Sequence, residues 1–155
     1  MNFNRVLRGI MANTQPQLQA ELWVVTQYLP NHFKKQFKGK SVLLTWGGGF
    51  NFDAVSEDGE IIACISTSAA KTVSGKSGIG KYHKIKADAF YLLNANDAKK
   101  RFLIFTEKDM YNHFLKEKEA GRFPLEIELL FVELPEIINQ KVLEAKKRAS
   151  KEVSR

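Results

Sequence analysis

The sequence predicts an α/β protein with three layers, α/β/α, in which helices cover both faces of a central mixed sheet. Segments with apolar residues at helical spacing alternate with short apolar runs of strand length. The resulting order is helix, three strands, helix, strand, helix, strand, helix, and no repeat or change in composition divides it. Because helices both flank and separate the strands, they must pack on both sides of the sheet.

The first predicted element is an amphipathic helix over residues 16–29. Its apolar residues recur at helical spacing and are Leu18, Leu22, Val25 and Leu29. Pro30 then either kinks this helix or starts a short second helix that carries Phe33 and Phe37.

Three strands are predicted next, over residues 40–46, 50–56 and 60–68. Three consecutive glycines end the first strand. Asp58-Gly59 is a strong signal for a two-residue hairpin between the second strand and the third.

The C-terminal half is predicted as helix, strand, helix, strand, helix. The first four of these elements span residues 82–95, 101–106, 107–120 and 126–132. Thr106 is the expected cap of the helix that follows it. Pro135 opens the terminal helix, which ends in a basic tail at 146–155 that we expect to fray.

The composition is that of an ordinary globular protein, and we expect one domain over residues 1–155. The chain is 44% hydrophobic and 26% charged, and Trp23 and Trp46 are expected to pack in the core. The lone Cys64 excludes an internal disulfide and a cysteine-based zinc site, and the three histidines lack metal-ligand spacing. No segment has the length of a membrane span or the apolar run of a signal peptide, so we expect a cytoplasmic protein with no membrane partner.

Basic residues outnumber acidic ones, 24 against 17, which gives a formal net charge of +7. Residues 61–87 include no acidic residue but five lysines, which are Lys71, Lys76, Lys81, Lys84 and Lys86. Such a segment favours a polyanionic partner. A solvated lysine-rich loop without a partner is the alternative interpretation.

Within that segment, the stretch SGKSGIGKY at residues 74–82 comes close to a nucleotide phosphate loop. Gly75, Gly80 and Lys81 have the required spacing, but Tyr82 stands where a Ser or Thr must ligate magnesium. The preceding predicted strand also ends several residues too early. We therefore interpret the stretch as a loop whose glycines and lysines contact the phosphates of a polynucleotide.

Asp53 is the most informative polar residue, because it lies inside an apolar strand, where a carboxylate is costly without a metal, a partner or water. On the next strand Cys64 and Ser66 share one face, and a hairpin can bring Asp53 beside both. Glu21, in the first helix, can approach from the side. Asp53 can instead cap a turn or pair with a loop lysine, and such an ion pair would lower its pKa.

These residues and the element order resemble the restriction-endonuclease-like superfamily, the PD-(D/E)xK nucleases. The core of that family, a helix, three strands, a helix and a strand, matches residues 16–106, and residues 107–150 would form a helix-strand-helix extension. The resemblance implies that Asp53 is the metal-binding Asp and Glu21 the additional helical Glu, both ligands of Mg²⁺ if the site is active. The stretch IACISTS lies where IAEIKTS is expected.

The chain departs from the family pattern at two positions. Cys64 stands in place of the second acid, and Ser66 stands in place of the lysine. A thiol is a poor ligand for magnesium, and serine lacks a positive charge. Lysine migrates within this superfamily, so Lys71 or Lys84 is the expected replacement, whereas nothing acidic follows before Asp88.

The leading hypothesis is a nucleic-acid-binding domain with a degenerate nuclease site that is inactive or strongly altered. DNA is expected rather than RNA, and a homodimer or larger assembly is left open. The catalytic candidates are Asp53, Ser66, Glu21, Lys71 and Lys84, and the residues expected to contact nucleic acid are Lys71, Ser74, Lys76, Ser77, Lys81, Lys84 and Lys86.

Two alternatives stay open. One is an active metal-dependent nuclease with a rearranged site, for which Mg²⁺ would be the cofactor. The other is a non-catalytic module that binds an acidic protein or a nucleotide.

Overall fold

A five-stranded mixed sheet forms the middle layer of the fold. The structure, a computed structural model, describes residues 15–71, 75 and 78–153. The strands are β1 (Phe37–Leu43), β2 (Gly49–Ser56), β3 (Ile61–Ser66), β4 (Lys100–Phe105) and β5 (Ile127–Phe131). They lie in the sheet in chain order, antiparallel from β1 to β3 and parallel from β3 to β5.

Helices lie on both faces of this sheet, which confirms the predicted three-layer α/β/α class. They are α1 (Pro16–Trp23), a π-helical turn (Val24–Tyr28), α2 (Leu29–Phe33), α3 (Ile79–Leu93), α4 (Lys108–Glu119) and α5 (Glu136–Val153). The segments α1, α2 and α5 pack on one face, whereas α3 and α4 pack on the other.

The sheet separates two hydrophobic clusters, and β3 contributes to both. Ile61, Ala63 and Ile65 belong to the cluster beneath α1 and α5, whereas Ile62 and Cys64 belong to the cluster beneath α3 and α4. All five residues are at most 5% exposed. A strand that is covered on both faces needs a continuous apolar run rather than alternation, which is what this stretch has.

The N-terminal helical segment is continuous from residue 16 to residue 33, with a wider turn ahead of Pro30. Proline has no N–H to donate to the carbonyl of Thr26, so the regular ladder cannot continue there. Instead the Leu29 N–H donates to the carbonyl of Val24, five residues earlier. Pro30 therefore lies at the start of the short α2, as one of the two alternatives predicts.

The prediction that Phe37 belongs to a helix is wrong, because the helix ends at Phe33, with Lys34 as its C-cap, and Phe37 begins β1. Lys34 adopts a left-handed conformation with φ of 59°, which breaks the helical path. The strand consequently begins and ends three residues earlier than predicted, and its pairing register with β2 shifts between Lys38 and Lys40. Trp46 falls in the turn beyond the strand and is 63% exposed, so its predicted place in the core is also wrong.

The predicted hairpin joins β2 and β3, although its loop spans residues 57–60 rather than two residues. Gly59 adopts φ of 74°, a conformation that glycine takes without strain. The buried Ser56 hydroxyl donates to Asp58 Oδ1 at 2.6 Å and accepts the Ile61 N–H at 2.9 Å. These bonds replace the last rung of the ladder and fix the register of the two strands that carry Asp53 and Cys64.

Two predictions about the C-terminal half are wrong. The cap position of α4 is Glu107, without a side-chain capping bond, and the Thr106 hydroxyl instead donates to the Ser66 carbonyl at 3.4 Å. The basic tail continues α5 to Val153 rather than fraying at 146, and Lys146 Nζ donates to the Thr67 carbonyl at 2.6 Å. Within the described ranges, no helix combines the length and apolar character needed to cross a membrane. The division of the chain into a core and an extension stays a prediction.

Candidate functional site

Asp53 joins β2 to β3 through its side chain. Its Oδ2 accepts the backbone N–H of Ile65 at 2.8 Å. The backbone pairing of the two strands includes Ala54 with Ala63, so Asp53 lies next to the paired residues and its carboxylate satisfies a strand N–H. This bond explains how a carboxylate is tolerated in an apolar strand.

Burial raises the pKa of Asp53, while the Ile65 N–H and then the charge of Lys84 oppose that rise. The prediction of a lowered pKa from an ion pair is therefore wrong. The hydrogen bond comes from the backbone, and Lys84 acts on Asp53 only through its charge.

Glu21 lies close enough to Asp53 for their charges to interact. The pKa of Glu21 is raised from 4.5 to about 7, because burial and the negative charges of Asp53 and Asp88 outweigh the opposing charge of Lys84. A carboxyl group with this value is about half protonated at neutral pH. The structure thus brings together Glu21, Asp53 and Lys84, three of the five catalytic candidates, from α1, β2 and α3.

Asp88 completes this group and has no role in the sequence interpretation. Its Oδ2 lies 3.3 Å from Lys84 Nζ, one turn away on α3, and its side chain is only 15% exposed. Burial raises the pKa of Asp88, the charge of Lys84 lowers it, and Asp53 raises it. Burial lowers the pKa of Lys84, but Asp88 outweighs this effect and the net pKa is raised. The sequence signal for the pair is the four-residue spacing of a Lys and an Asp on one helix.

Cys64 lies in the core beside these charged groups and is 2% exposed. Burial raises the pKa of its thiol, and the charges of Asp88 and Asp53 raise it further. The sulfur therefore stays protonated at neutral pH. A buried thiol of this kind cannot replace the missing acid as a magnesium ligand.

A polar cavity of about 100 Å³ opens where β3 ends, between α1 and α3. Its lining combines hydroxyl groups, two lysines and one acid, and consists of Glu21, Ile65, Ser66, Thr67, Ser68, Lys81, Lys84 and Ile85. The Ser66 hydroxyl accepts the Ser68 N–H at 3.4 Å, which keeps both serines at the mouth of β3. Ser66 and Lys84 therefore line the same cavity. The lysine comes from α3, and Ser66 occupies the position on β3 where the family pattern has a lysine.

The start of α3 is joined to the segment that follows β3 by hydrogen bonds to the carbonyl of Ala70. The carbonyl of Ala70 accepts the Gly78 N–H at 3.0 Å and the Tyr82 hydroxyl at 3.1 Å. A Cβ on Gly78 would lie 3.3 Å from the same carbonyl, so glycine permits this close approach. These hydrogen bonds fix the first turns of α3 and with them Lys81 and Lys84.

The residues expected to contact nucleic acid fall into three groups. Lys81 and Lys84 line the cavity, and Lys86 is exposed on α3. Lys71 is exposed outside the cavity lining, and its backbone N–H donates to Asp109 Oδ2 at 3.4 Å. Ser74, Lys76 and Ser77 lie outside the described residues.

The carboxylates, as they are arranged, do not fit a metal ion. In residues 15–71, 75 and 78–153 no three His, Cys, Asp or Glu side chains are grouped so that they could hold one. One oxygen of Asp53 already accepts the Ile65 N–H, and one oxygen of Asp88 pairs with Lys84. Glu21 and Asp53, the metal ligands that the resemblance implies, are therefore not supported as a magnesium site by this geometry.

Comparison with protein-family models, with curated proteins and with solved structures finds no match to this chain. The element order from α1 to β4 is the order that the resemblance predicts. Membership of the restriction-endonuclease-like superfamily stays a prediction.

Proposed function

We propose that this protein binds nucleic acid through the sugar–phosphate backbone, with α3 as the main binding element and the adjoining cavity as a phosphate site that does not cleave. One observation carries the proposal. Lys81 and Lys84, from the first turns of α3, meet the hydroxyl groups of Ser66 and Ser68 at one cavity. Ammonium and hydroxyl groups are donors that phosphate oxygens accept.

The acids near the cavity offset part of this positive charge, because Asp88 and Asp53 both act on Lys84. The ion pair of Lys84 with Asp88 stays open to solvent on the lysine side. Glu21, with a pKa of about 7, is about half neutral at neutral pH and in that form can donate a hydrogen bond to a phosphate oxygen. Lys81 at the cavity and the exposed Lys86 add positive charge on α3.

The absence of cleavage in this proposal follows from the two departures on β3. Cys64 is buried and protonated where the second metal-binding acid is expected. Ser66 has no charge with which to stabilise a pentavalent phosphorus. Lys84 can supply that charge from α3, but its ammonium is 3.3 Å from Asp88.

The salt dependence of binding tests the proposal. Affinity for duplex DNA should fall steeply with salt, because each neutralised phosphate contributes roughly −0.9 to the slope of log K against log salt. Replacing Lys81 and Lys84 together by Gln should weaken binding and reduce the magnitude of that slope by roughly 1.8.

The matched control removes the same charge elsewhere. Lys116 and Lys147 are exposed on α4 and α5, and their double Gln variant should keep the wild-type slope. Equal slopes in all three proteins would remove α3 from the interface. Failure of the wild type to bind DNA or RNA at low salt would instead favour a module that binds an acidic protein or a nucleotide.

A metal-dependent nuclease is the second candidate, although Glu21, Asp53 and Asp88 would have to change their arrangement to hold a metal ion. Its supporting observation is that the charge of Asp53 raises the pKa of both other carboxyls, so the three groups lie within electrostatic reach of one another. Cleavage of plasmid or single-stranded DNA that requires Mg²⁺ and is lost in Asp53→Asn would establish this candidate. No cleavage by the wild type would support the binding function alone.

A further inference from the structure

Two aromatic rings are stacked on the surface near the C-terminal end of α3. Trp46, in the turn between β1 and β2, is 63% exposed, and Phe90 on α3 is 51% exposed. Their ring centroids lie 5.3 Å apart with an angle of 20° between the planes. Tryptophan side chains are highly buried on average, so this exposed ring leaves a large aromatic surface in contact with water.

Backbone hydrogen bonds hold the turn of Trp46 against the end of α3. The Thr45 N–H donates to the Asn94 carbonyl at 2.9 Å, and the Asn96 N–H donates to the Leu43 carbonyl at 2.9 Å. Leu44 and Ala95 form an isolated antiparallel bridge between these bonds. The position of Trp46 relative to Phe90 is therefore set by the backbone and not by the two rings alone.

A continuous series of aromatic contacts connects this surface to the core. Phe90 contacts Tyr91 edge to face at 5.4 Å, and Tyr91 stacks on Phe50 at 4.1 Å with 10° between the planes. Phe50 in turn contacts Phe52, which is 1% exposed. Rings fixed in this way lose little conformational freedom when a flat ligand stacks on them.

Charges of both signs lie near the two rings. Lys86 lies one turn before Phe90 on the same side of α3, about 6 Å along the helix axis. Asp88 on this helix pairs with Lys84, and the exposed Asp97 follows the segment that bonds to the turn of Trp46. Around an added Cβ on Gly47 or Gly48 nothing lies within 4 Å, so the turn leaves room beside Trp46.

We propose that Trp46 and Phe90 form a stacking platform for unpaired bases of a single-stranded nucleic acid, with Lys86 beside the platform as a partner for a phosphate. This inference rests on the proposed function and adds the class of nucleic acid. Aromatic side chains next to a basic track bind single strands with little sequence preference, because every base has a flat face. In a duplex those faces are covered by neighbouring bases, so the platform selects single strands, frayed ends or loops.

Fluorescence of Trp46 tests base stacking directly. The chain has two tryptophans, so a Trp23→Phe variant leaves Trp46 as the single reporter. The probes are a short single-stranded oligonucleotide, an abasic strand of the same length and a duplex of the same sequence. The single strand should quench the emission of Trp46, and the abasic strand should bind through its phosphates without quenching.

Affinity provides the second readout. Trp46→Ala or Phe90→Ala should weaken binding of the single strand by about 5- to 140-fold, the range for losing one stacked base. Both variants should leave binding of the duplex and the abasic strand nearly unchanged, and Trp46→Phe should retain much of the affinity. Leu125→Ala, which truncates a side chain that is 77% exposed outside this surface, should change nothing.

The outcomes separate the platform from the proposed function. If all three probes bind and Trp46→Ala does not alter their affinities, the platform is wrong and backbone binding stands. If no probe binds to the wild type, both proposals fail. If sedimentation shows that Trp46→Ala converts a dimer to a monomer without affecting oligonucleotide binding, the rings are an interface between two copies of the chain, which also overturns the platform.

Discussion

Folding raises the pKa of Glu21 and so changes its protonation near neutral pH. Burial and the charge of Asp53 raise its pKa from 4.5 to about 7, so the folded protein keeps a proton there that the unfolded chain has already lost. Ionised Glu21 therefore destabilises the folded state. Stability should fall as the pH rises from about 4.5 to about 7, and the full penalty should be present above that window.

Glu21→Gln removes this penalty while keeping the size of the side chain. At about pH 8 the variant should be more stable than the wild type by about 1 kcal/mol, a value reduced from the full shift because Glu21 is half-buried and screened by solvent. At about pH 4 the two proteins should unfold alike. Urea unfolding at both pH values measures the difference, with Glu144→Gln on the exposed face of α5 as the control. A Gln variant that is equally or less stable at the higher pH would contradict this account of Glu21.

The sequence allows much of the site to be predicted at this scale, but not all of it. Asp53 is visible because a carboxylate interrupts an apolar strand, whereas Glu21 and Lys84 are candidates only through the resemblance to the restriction-endonuclease-like superfamily. Asp88 is missed because a Lys and an Asp four residues apart resemble an ordinary solvated helix pair, and its burial depends on how α3 packs on the sheet. Lys71 is predicted at the site but lies outside the cavity lining, because a loop does not fix side-chain direction by periodicity.

At the scale of elements, α5 is joined to the carboxyl end of the sheet by one side chain. Lys146 Nζ donates to the Thr67 carbonyl and to Glu107 Oε1, each at 2.6 Å, and the lysine side chain is 15% exposed. One ammonium thus connects α5 with the end of β3 and the start of α4. Thr67 also lines the cavity, so this contact supports one of its walls.

Lys146→Met keeps the aliphatic stem but loses both hydrogen bonds. We expect a loss of about 1–3 kcal/mol in the free energy of unfolding, because the Thr67 carbonyl and a carboxylate, both half-buried, lose a charged partner. Lys147→Met, at the exposed neighbouring position, should change stability by no more than about 0.5 kcal/mol. Chemical denaturation compares the two. Equal stabilities of the two variants would show that the contact of Lys146 does not anchor α5.

The kinds of element can be predicted from the sequence, whereas several ends cannot. Phe33 and Phe37 are four residues apart, which fits one helix face, but Phe37 reaches the same region from β1 and contacts Phe33 at 5.7 Å between ring centroids. The helix ends at Phe33, and its C-cap Lys34 is a residue type that does not mark a left-handed position in the way glycine does. Trp46 is exposed because β1 begins and ends three residues earlier than predicted, which leaves Trp46 in the turn before β2.

At the scale of the whole molecule, one sheet shares its two faces between two cores. Leu103 and Ile104 are neighbours on β4, each at most 1% exposed, and they belong to opposite clusters. If either cluster loses its packing, one face of the sheet is uncovered. The other cluster then packs on a sheet that is supported from one side alone. This arrangement favours unfolding of both layers together.

Leu103→Ala and Ile104→Ala should each cost about 2–5 kcal/mol, the usual range for truncating a buried aliphatic side chain. In both variants the transition followed by Trp23 fluorescence, which reports on the α1 face, should coincide with that followed by far-ultraviolet circular dichroism. The Trp46→Phe background removes the second tryptophan signal. Separate transitions, with one face melting first, would contradict the coupling of the two cores.

The lysines of β1 have a consequence for encounters between molecules. β1 is the outermost strand on its side of the sheet, and no other strand of the described residues pairs with its outer edge. Lys38 and Lys40 on this strand are both exposed. Like charges on an edge strand repel the same edge of another copy. The two lysines thus oppose aggregation through the sheet.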